Sequence, residues 1–241
     1  MDYVFIPSRT LKDATPALLS FLPLMREYDN LFLYLTINNF CTEDNNRIIE
    51  LYPQDRIEVV RNPYTLDYFG GSFPKFMLKT LKRFHEFLIG HDPKYKESRI
   101  VLTNDDIYIQ DPRPLILQNV KDLPAVPELI PQYKVFCNEW LKDLPEYWDW
   151  YGLTILGEWL TVMEKMLEKA IKSNLSAGSG TVVSAAVVAF TGLPINKLKN
   201  VIAYSTRCVC STPEGALQDS LNCSIKELVK LWAKNAHKDV V

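Results

Sequence analysis

Asn104, Asp105 and Asp106 follow directly on Ile100, Val101 and Leu102, a short apolar run of the kind a buried strand uses. Two adjacent carboxylates at the end of a buried strand are costly unless solvent, a cation or a hydrogen-bond donor meets them. A divalent cation is the simplest partner. Ile107, Tyr108 and Ile109 resume strand character, so the acids interrupt two strand segments and do not lie in a solvated loop.

The elements that must position this group alternate in type. Residues 3–6 read as a strand ending at Pro7, Ser8 and Arg9, a turn that presents backbone and a cation at the sheet edge. Residues 16–28 carry Leu18, Leu19, Leu22 and Met25 at helical spacing, with Pro23 as a flaw. Leu31 to Ile37 is a second strand, followed by Asn38 and Asn39; Thr42 and Glu43 open a helix through Leu51. Residues 56–60 are a third strand, ended by Arg61, Asn62 and Pro63. After Gly70, Gly71 and Ser72, residues 73–88 form an amphipathic helix with Phe76, Met77, Leu81, Phe84 and Leu88 inward. Lys75, Lys79, Lys82 and Arg83 occupy its other face, read as solvated surface. This β, α, β, α, β, α, β order predicts an α/β fold with a mainly parallel sheet and helices on both faces. Ligands bind such sheets outside the carboxyl ends of the strands. Pro7 to Arg9, Asn38, Asn62 and Asn104 to Asp106 all fall there.

Beyond Asp111 the texture changes. Pro112, Pro114, Pro124, Pro127, Pro131 and Pro145 break the chain into short extended pieces where regular helices are not expected. Residues 139–159 hold Trp140, Tyr147, Trp148, Trp150, Tyr151 and Trp159, a cluster that fits core packing better than a ligand platform. Residues 156–172 read as a helix, 173–180 as a loop, 181–190 as a buried helix, and 224–236 as a final helix with Ser224 and Glu227 as its capping box. The stretch Gly178-Ser179-Gly180-Thr181 lacks the Lys-Ser/Thr end of a phosphate-binding P-loop.

At 241 residues the expected organisation is one domain, 1–241, with a binding half over 1–110 and an acceptor-side, helical half over 111–241. A formal charge of -2 argues against nucleic acid or an anionic membrane as partner. No run approaches the ~20 apolar residues of a membrane span, and residues 1–10 do not have the pattern of a signal peptide. Five scattered cysteines, Cys41, Cys137, Cys208, Cys210 and Cys223, argue for reduced thiols and a cytoplasmic setting. With His237, the last three match no common zinc spacing.

Residues 3–110 resemble the nucleotide-sugar-binding half of glycosyltransferases of the Rossmann-like GT-A fold. VFIPSR resembles the family's opening strand beside the nucleotide, contributing Pro7, Ser8 and Arg9. Asn62 and the run from Gly70 through Gly71 to Lys75 look like the segment near base, ribose or phosphates, and VLTNDDIYI looks like the strand carrying the Asp-x-Asp motif. The resemblance implies a nucleoside-diphosphate sugar donor and a divalent cation, Mn or Mg, held by Asp106 with Asp105 in support. Asn104 stands where the family has its first aspartate; an amide still accepts from a ribose hydroxyl but brings no charge to a metal. Lys75 or Arg9 would share the charge of the leaving diphosphate. The resemblance also places a catalytic base in a Gly-Glu-Asp-like motif, here at Glu158, with Asp149 and Glu139 as alternatives. The acceptor, whether glycan, protein or lipid, is not legible. Two other readings stand beside this one: a sugar-phosphate nucleotidyltransferase, although Pro7-Ser8-Arg9 lacks its glycines, and a non-catalytic binding or assembly protein with a degenerate site, which Asn104 keeps open.

Overall fold

Seven consecutive residues of Leu31–Ile37 are buried, as are all seven of Asp2–Ser8, the pattern of strands covered on both faces and not of half-exposed hairpins. The computed structural model describes residues 1–38, 47–64, 68, 70, 72–117, 122–130, 150–172 and 179–205. Within them, β1 (Asp2–Ser8), β2 (Leu31–Ile37), β3 (Ile57–Arg61) and β4 (Arg99–Thr103) lie parallel in the order β3-β2-β1-β4. Four further strands, β5 (Ile107–Gln110), β6 (Ala125–Ile130), β7 (Tyr151–Leu156) and β8 (Asn196–Ser205), extend the sheet as β7-β6-β8-β5. β7 and β5 run against the rest, so the sheet is mainly parallel, as the alternating pattern predicts.

Among the described residues the α-helices are α1 (Thr15–Phe21), α2 (Phe73–His91), α3 (Arg113–Leu117), α4 (Leu160–Lys172) and α5 (Ser179–Thr191). On one face α2 lays Phe84 flat on Phe5 at 4.7 Å and against Tyr34 at 5.0 Å, while Phe87 meets Phe32 at 5.3 Å. These aromatic contacts each add about 0.5–1.5 kcal/mol beyond area burial. α4 packs on α2, joined by a His85 Nδ1 contact to Glu164 at 2.7 Å, and His85 Nε2 meets the Tyr95 hydroxyl at 2.9 Å. α1 packs on β5, whose edge is satisfied where Ile109 N–H donates to the Ser20 hydroxyl at 2.8 Å.

Several expectations need correction. The flaw at Pro23 is real: α1 stops at Phe21 and a 3₁₀ turn, Leu22–Arg26, takes over with proline at its start. The helix expected up to Leu51 shows only a 3₁₀ turn, Ile49–Leu51, among the described residues; 39–46 lie outside them. A helix does form after Asp111. Pro114 sits in the first turn of α3, where its missing N–H is not needed. The helix expected from Leu156 begins later, because Tyr151–Leu156 is taken up as β7 between β4 and β6. Trp150 and Trp159 are core, 1% and 8% exposed. The five cysteines, His237 and the final helix lie outside the described residues.

At the amino ends of the strands, Arg99 donates to both oxygens of Asp2 at 2.9 and 2.8 Å, tying β4 to β1. Beside them Gly157 N–H donates to Ser98 O at 2.9 Å, and a side chain at 157 would run into the Tyr95 carbonyl. Gly157→Ala should therefore destabilise by about 1–3 kcal/mol, read as a lower urea midpoint at unchanged m-value. Asp92 lies in the same region. Burial pushes its carboxyl up, but the Lys94 N–H and the Ser98 and Tyr3 hydroxyls outweigh burial and hold it below the usual carboxylate range. With the folded value depressed, its contribution is present above about pH 4 and lost as pH falls through the folded value. Asp92→Asn should lower stability at neutral pH and flatten the acid limb of a plot of urea midpoint against pH.

Candidate functional site

The parallel register sets the geometry of the opposite, carboxyl edge. Ser8 pairs with Ile37, Ile37 with Arg61, and Phe5 with Leu102, so β1, β2, β3 and β4 end at nearly one level. The residues that follow, Asn38, Asn62 and Asn104 to Asp106, are brought to that edge together with Ser8.

Hydrogen bonds link them. The Ser8 hydroxyl lies 2.7 Å from Asp105 Oδ2 and also 2.7 Å from the Thr10 carbonyl. A hydroxyl has one proton to give, so these two acceptors share it in turn. The Ser8 carbonyl accepts from Asn38 N–H at 2.8 Å and from Asn38 Nδ2 at 3.1 Å. Asn38 Nδ2 also reaches the Thr36 carbonyl at 3.3 Å, while Asn38 Oδ1 accepts from Asn62 Nδ2 at 2.7 Å. Asn62 Oδ1 in turn accepts from Arg83 Nη1 at 2.6 Å. Asn38 and Asn62 are both 2% exposed, and a pair of buried amides is tolerated only because each end finds a partner. Near this end, burial raises the pKa of Tyr64, and the adjacent Arg83 offsets part of that rise.

The acids differ in setting. Asp106 is buried at 6% exposure, whereas Asn104 and Asp105 are half-buried. Asn104 N–H donates to Trp150 O at 2.6 Å, and its carbonyl accepts from Ile107 N–H at 3.3 Å, closing the turn that carries the acids. The chain then leaves β4: β5 crosses to the far edge of the sheet and pairs with β8. The acids thus occupy the point where the strand path departs from its neighbours. No cluster of three or more His, Cys, Asp or Glu is present among the described residues. Two carboxylates are too few for an all-protein cage, and a cation such as Mg²⁺ or Mn²⁺ would have to take its remaining oxygens from phosphate and water.

Other predicted residues are distributed as follows. Pro7 is buried in β1; Arg9 is exposed and pairs with Asp13 at 3.1 Å, not with the acids. Lys75 is exposed in the first turn of α2. Gly71, Asp149 and Glu139 lie outside the described residues. Glu158 is exposed at the wrong end of the sheet for chemistry with Asp105 and Asp106. Because β7 is antiparallel to β4, Leu156 pairs with Arg99, and Glu158 follows at the amino edge. The acids lie beyond the far end of β4, roughly 13 Å along the strand. Asn62 faces inward, and its amide is engaged by Asn38 and Arg83. Arg83 is exposed, as its place on the solvated face predicts, but it also reaches Asn62 Oδ1 and is the unanticipated member of the group. Its signal in the sequence, a cation on a helix beside three lysines, does not distinguish it from them.

The sheet order, the mainly parallel strands and the flanking helices define a Rossmann-like fold of the GT-A type. No protein-family profile and no curated protein sequence matches the chain. Among solved structures, the chain is similar to S. aureus TarS 1–349 in complex with UDP-GlcNAc: TM-score 0.54 at 10% identity, covering 96% of this chain and 66% of that one. It is similar also to TarS 1–349 without that ligand, with TM-score 0.51 at 12% identity, covering 96% and 65%. At such identity the likeness concerns the fold, and this chain spans about two thirds of the TarS 1–349 length.

Asn62→Ala should cost about 1–3 kcal/mol in urea unfolding, because it leaves the buried Asn38 carbonyl oxygen without its donor.

Proposed function

We propose that the protein is a glycosyltransferase that moves a sugar from a nucleoside-diphosphate donor, with a UDP-sugar such as UDP-GlcNAc as the first candidate, to an acceptor yet to be identified. The observation that carries this reading is the Ser8 contact on Asp105, which joins an acidic pair to the carboxyl ends of four parallel strands. The fold shared with TarS, which has been solved with UDP and with UDP-GlcNAc, supports it.

In this reading the donor lies across the strand ends, with its diphosphate toward Asp105 and Asp106. Those two residues would hold a divalent cation, Mn or Mg, and Asn104 is oriented by its backbone bond to Trp150. The cation, when bound, supplies Lewis-acid stabilisation of the departing diphosphate. Pro7 and Ser8 line the nucleotide side, and the exposed cations of Arg9 and Lys75 are available to the phosphates. Transfer forms a bond from the acceptor oxygen to the anomeric carbon as the bond to the diphosphate breaks; the leaving group takes the electron pair, and a carboxylate takes the acceptor's proton. Of the acids named for that step, Asp149 and Glu139 lie outside the described residues and stay as the candidates. Glu158 is set aside on position. Among the described residues no helix is long and apolar enough to cross a membrane; the proposed setting is the cytoplasm.

UDP-GlcNAc with Mn²⁺ at about a hundredfold excess over its dissociation constant should raise the melting temperature by about 5–10 °C. Asp106→Ala should abolish the shift. Absence of a shift with UDP-, GDP- and other nucleotide sugars alike, with Mn²⁺ or Mg²⁺, would overturn the reading.

A further inference from the structure

The chain of hydrogen bonds from Arg83 to Asp105 has a fixed direction. Arg83 has only donors, so its contact with Asn62 can be made only to the Asn62 oxygen; the Asn62 nitrogen then faces Asn38, which must present its own oxygen. That leaves the Asn38 nitrogen for the carbonyls of Ser8 and Thr36, which only accept. Donor-only at one end and acceptor-only at the other, the two amides have a single consistent orientation. The chain ends on the residue whose hydroxyl meets Asp105 at 2.7 Å. Ser8, Asn38 and Asn62 are at most 3% exposed, so water competes little for the bonds among them, while the bond from the exposed Arg83 is only part-buried.

We infer that Arg83, Asn62 and Asn38 are positioning residues: they do not read the donor but lock the Ser8 main chain, and through it aim the Ser8 hydroxyl at Asp105, setting the carboxylate for the cation and diphosphate. This rests on Asp105 being a donor-site residue, as proposed above. Asn62, which the sequence places at a ligand-binding strand end, is thereby reassigned from contact with the nucleotide to support of the acid three strands away in the sheet order. Arg83 sets the polarity of the whole relay from α2, outside the sheet.

The test exploits that polarity. Asn62→Asp keeps size and strengthens the partner of Arg83, but it offers only acceptors. Asn38 must then turn its nitrogen toward residue 62 and its oxygen toward the Ser8 carbonyl, which breaks the relay without emptying the site. Mn²⁺ affinity is measured by electron paramagnetic resonance, with no nucleotide present, in wild type, Asn62→Asp, Ser8→Ala and the double variant. Asn62→Asp should weaken Mn²⁺ binding about tenfold where Ser8 is intact and add less than about twofold in the Ser8→Ala background. Equal effects in both backgrounds would mean that Asn62 acts by another route and would overturn the inference. A second arm is independent of metal: amide ¹H–¹⁵N signals of Asp105 and Asp106 should shift in Asn62→Asp when Ser8 is present and stay in place when it is alanine. If wild type binds no Mn²⁺, the metal-assisted reading of the site fails, and this arm still decides the relay. Signals that move only at residues 38 and 62 would refute it.

Discussion

The register of the parallel strands is the constraint on which the site depends. Hydrogen bonding between β1 and β2, β2 and β3, and β1 and β4 leaves each strand no freedom to slide, since a slip of one residue would turn every buried side chain to the opposite face. With all seven residues of β1 and of β2 buried, such a slip would disrupt the packing on both faces. The polar residues that terminate the strands are therefore held at one level. There they satisfy one another, from Asp105 through Ser8 and Asn38 to Asn62 and Arg83.

The two edges of the sheet are specialised differently. The amino edge is tied by charge and close approach: Arg99 on Asp2, Asp92 under the hydroxyls of Ser98 and Tyr3, and Gly157 against the Tyr95 carbonyl. These contacts join β1, β4 and β7 into a base. The carboxyl edge carries the amides and acids, with a hydroxyl proton shared between Asp105 and Thr10. α2 links the two edges. Its Phe84 and Phe87 press on the aromatic face of β1 and β2, and the same helix sends Arg83 up to Asn62. Aromatic packing thus holds the helix from which the exposed Arg83 reaches Asn62.

Antiparallel β7 explains why one plausible acid is misplaced. A Gly-Glu pair at the start of a helix looks alike wherever the helix begins, but the strand before it runs against β4 and delivers Glu158 to the amino edge. The same strand begins at the carboxyl edge, just after Trp150, where the Trp150 carbonyl receives the Asn104 N–H. Strand direction, a property no local pattern encodes, decides which end of the 150s faces the acids.

The sequence by itself determined the parallel half: the runs 3–6, 31–37 and 56–60, the amphipathic 73–88 and the acids after Leu102 carry strong local signals, because each element's burial pattern follows from its own period. It also placed Pro7 to Ser8, Asn38, Asn62 and Asp105 to Asp106 at one edge, since alternation of strand and helix leaves few topologies. Only the tertiary structure decided what those residues do for one another. The inward turn of Asn62, the hand-over from Asn38 to the Ser8 carbonyl, the recruitment of Arg83, the crossing of β5 to the far edge and the reversal of β7 all depend on contacts between residues distant in the chain. Hydrogen-bond direction and strand polarity are set by the partner across the gap, and the sequence names neither the partner nor the gap.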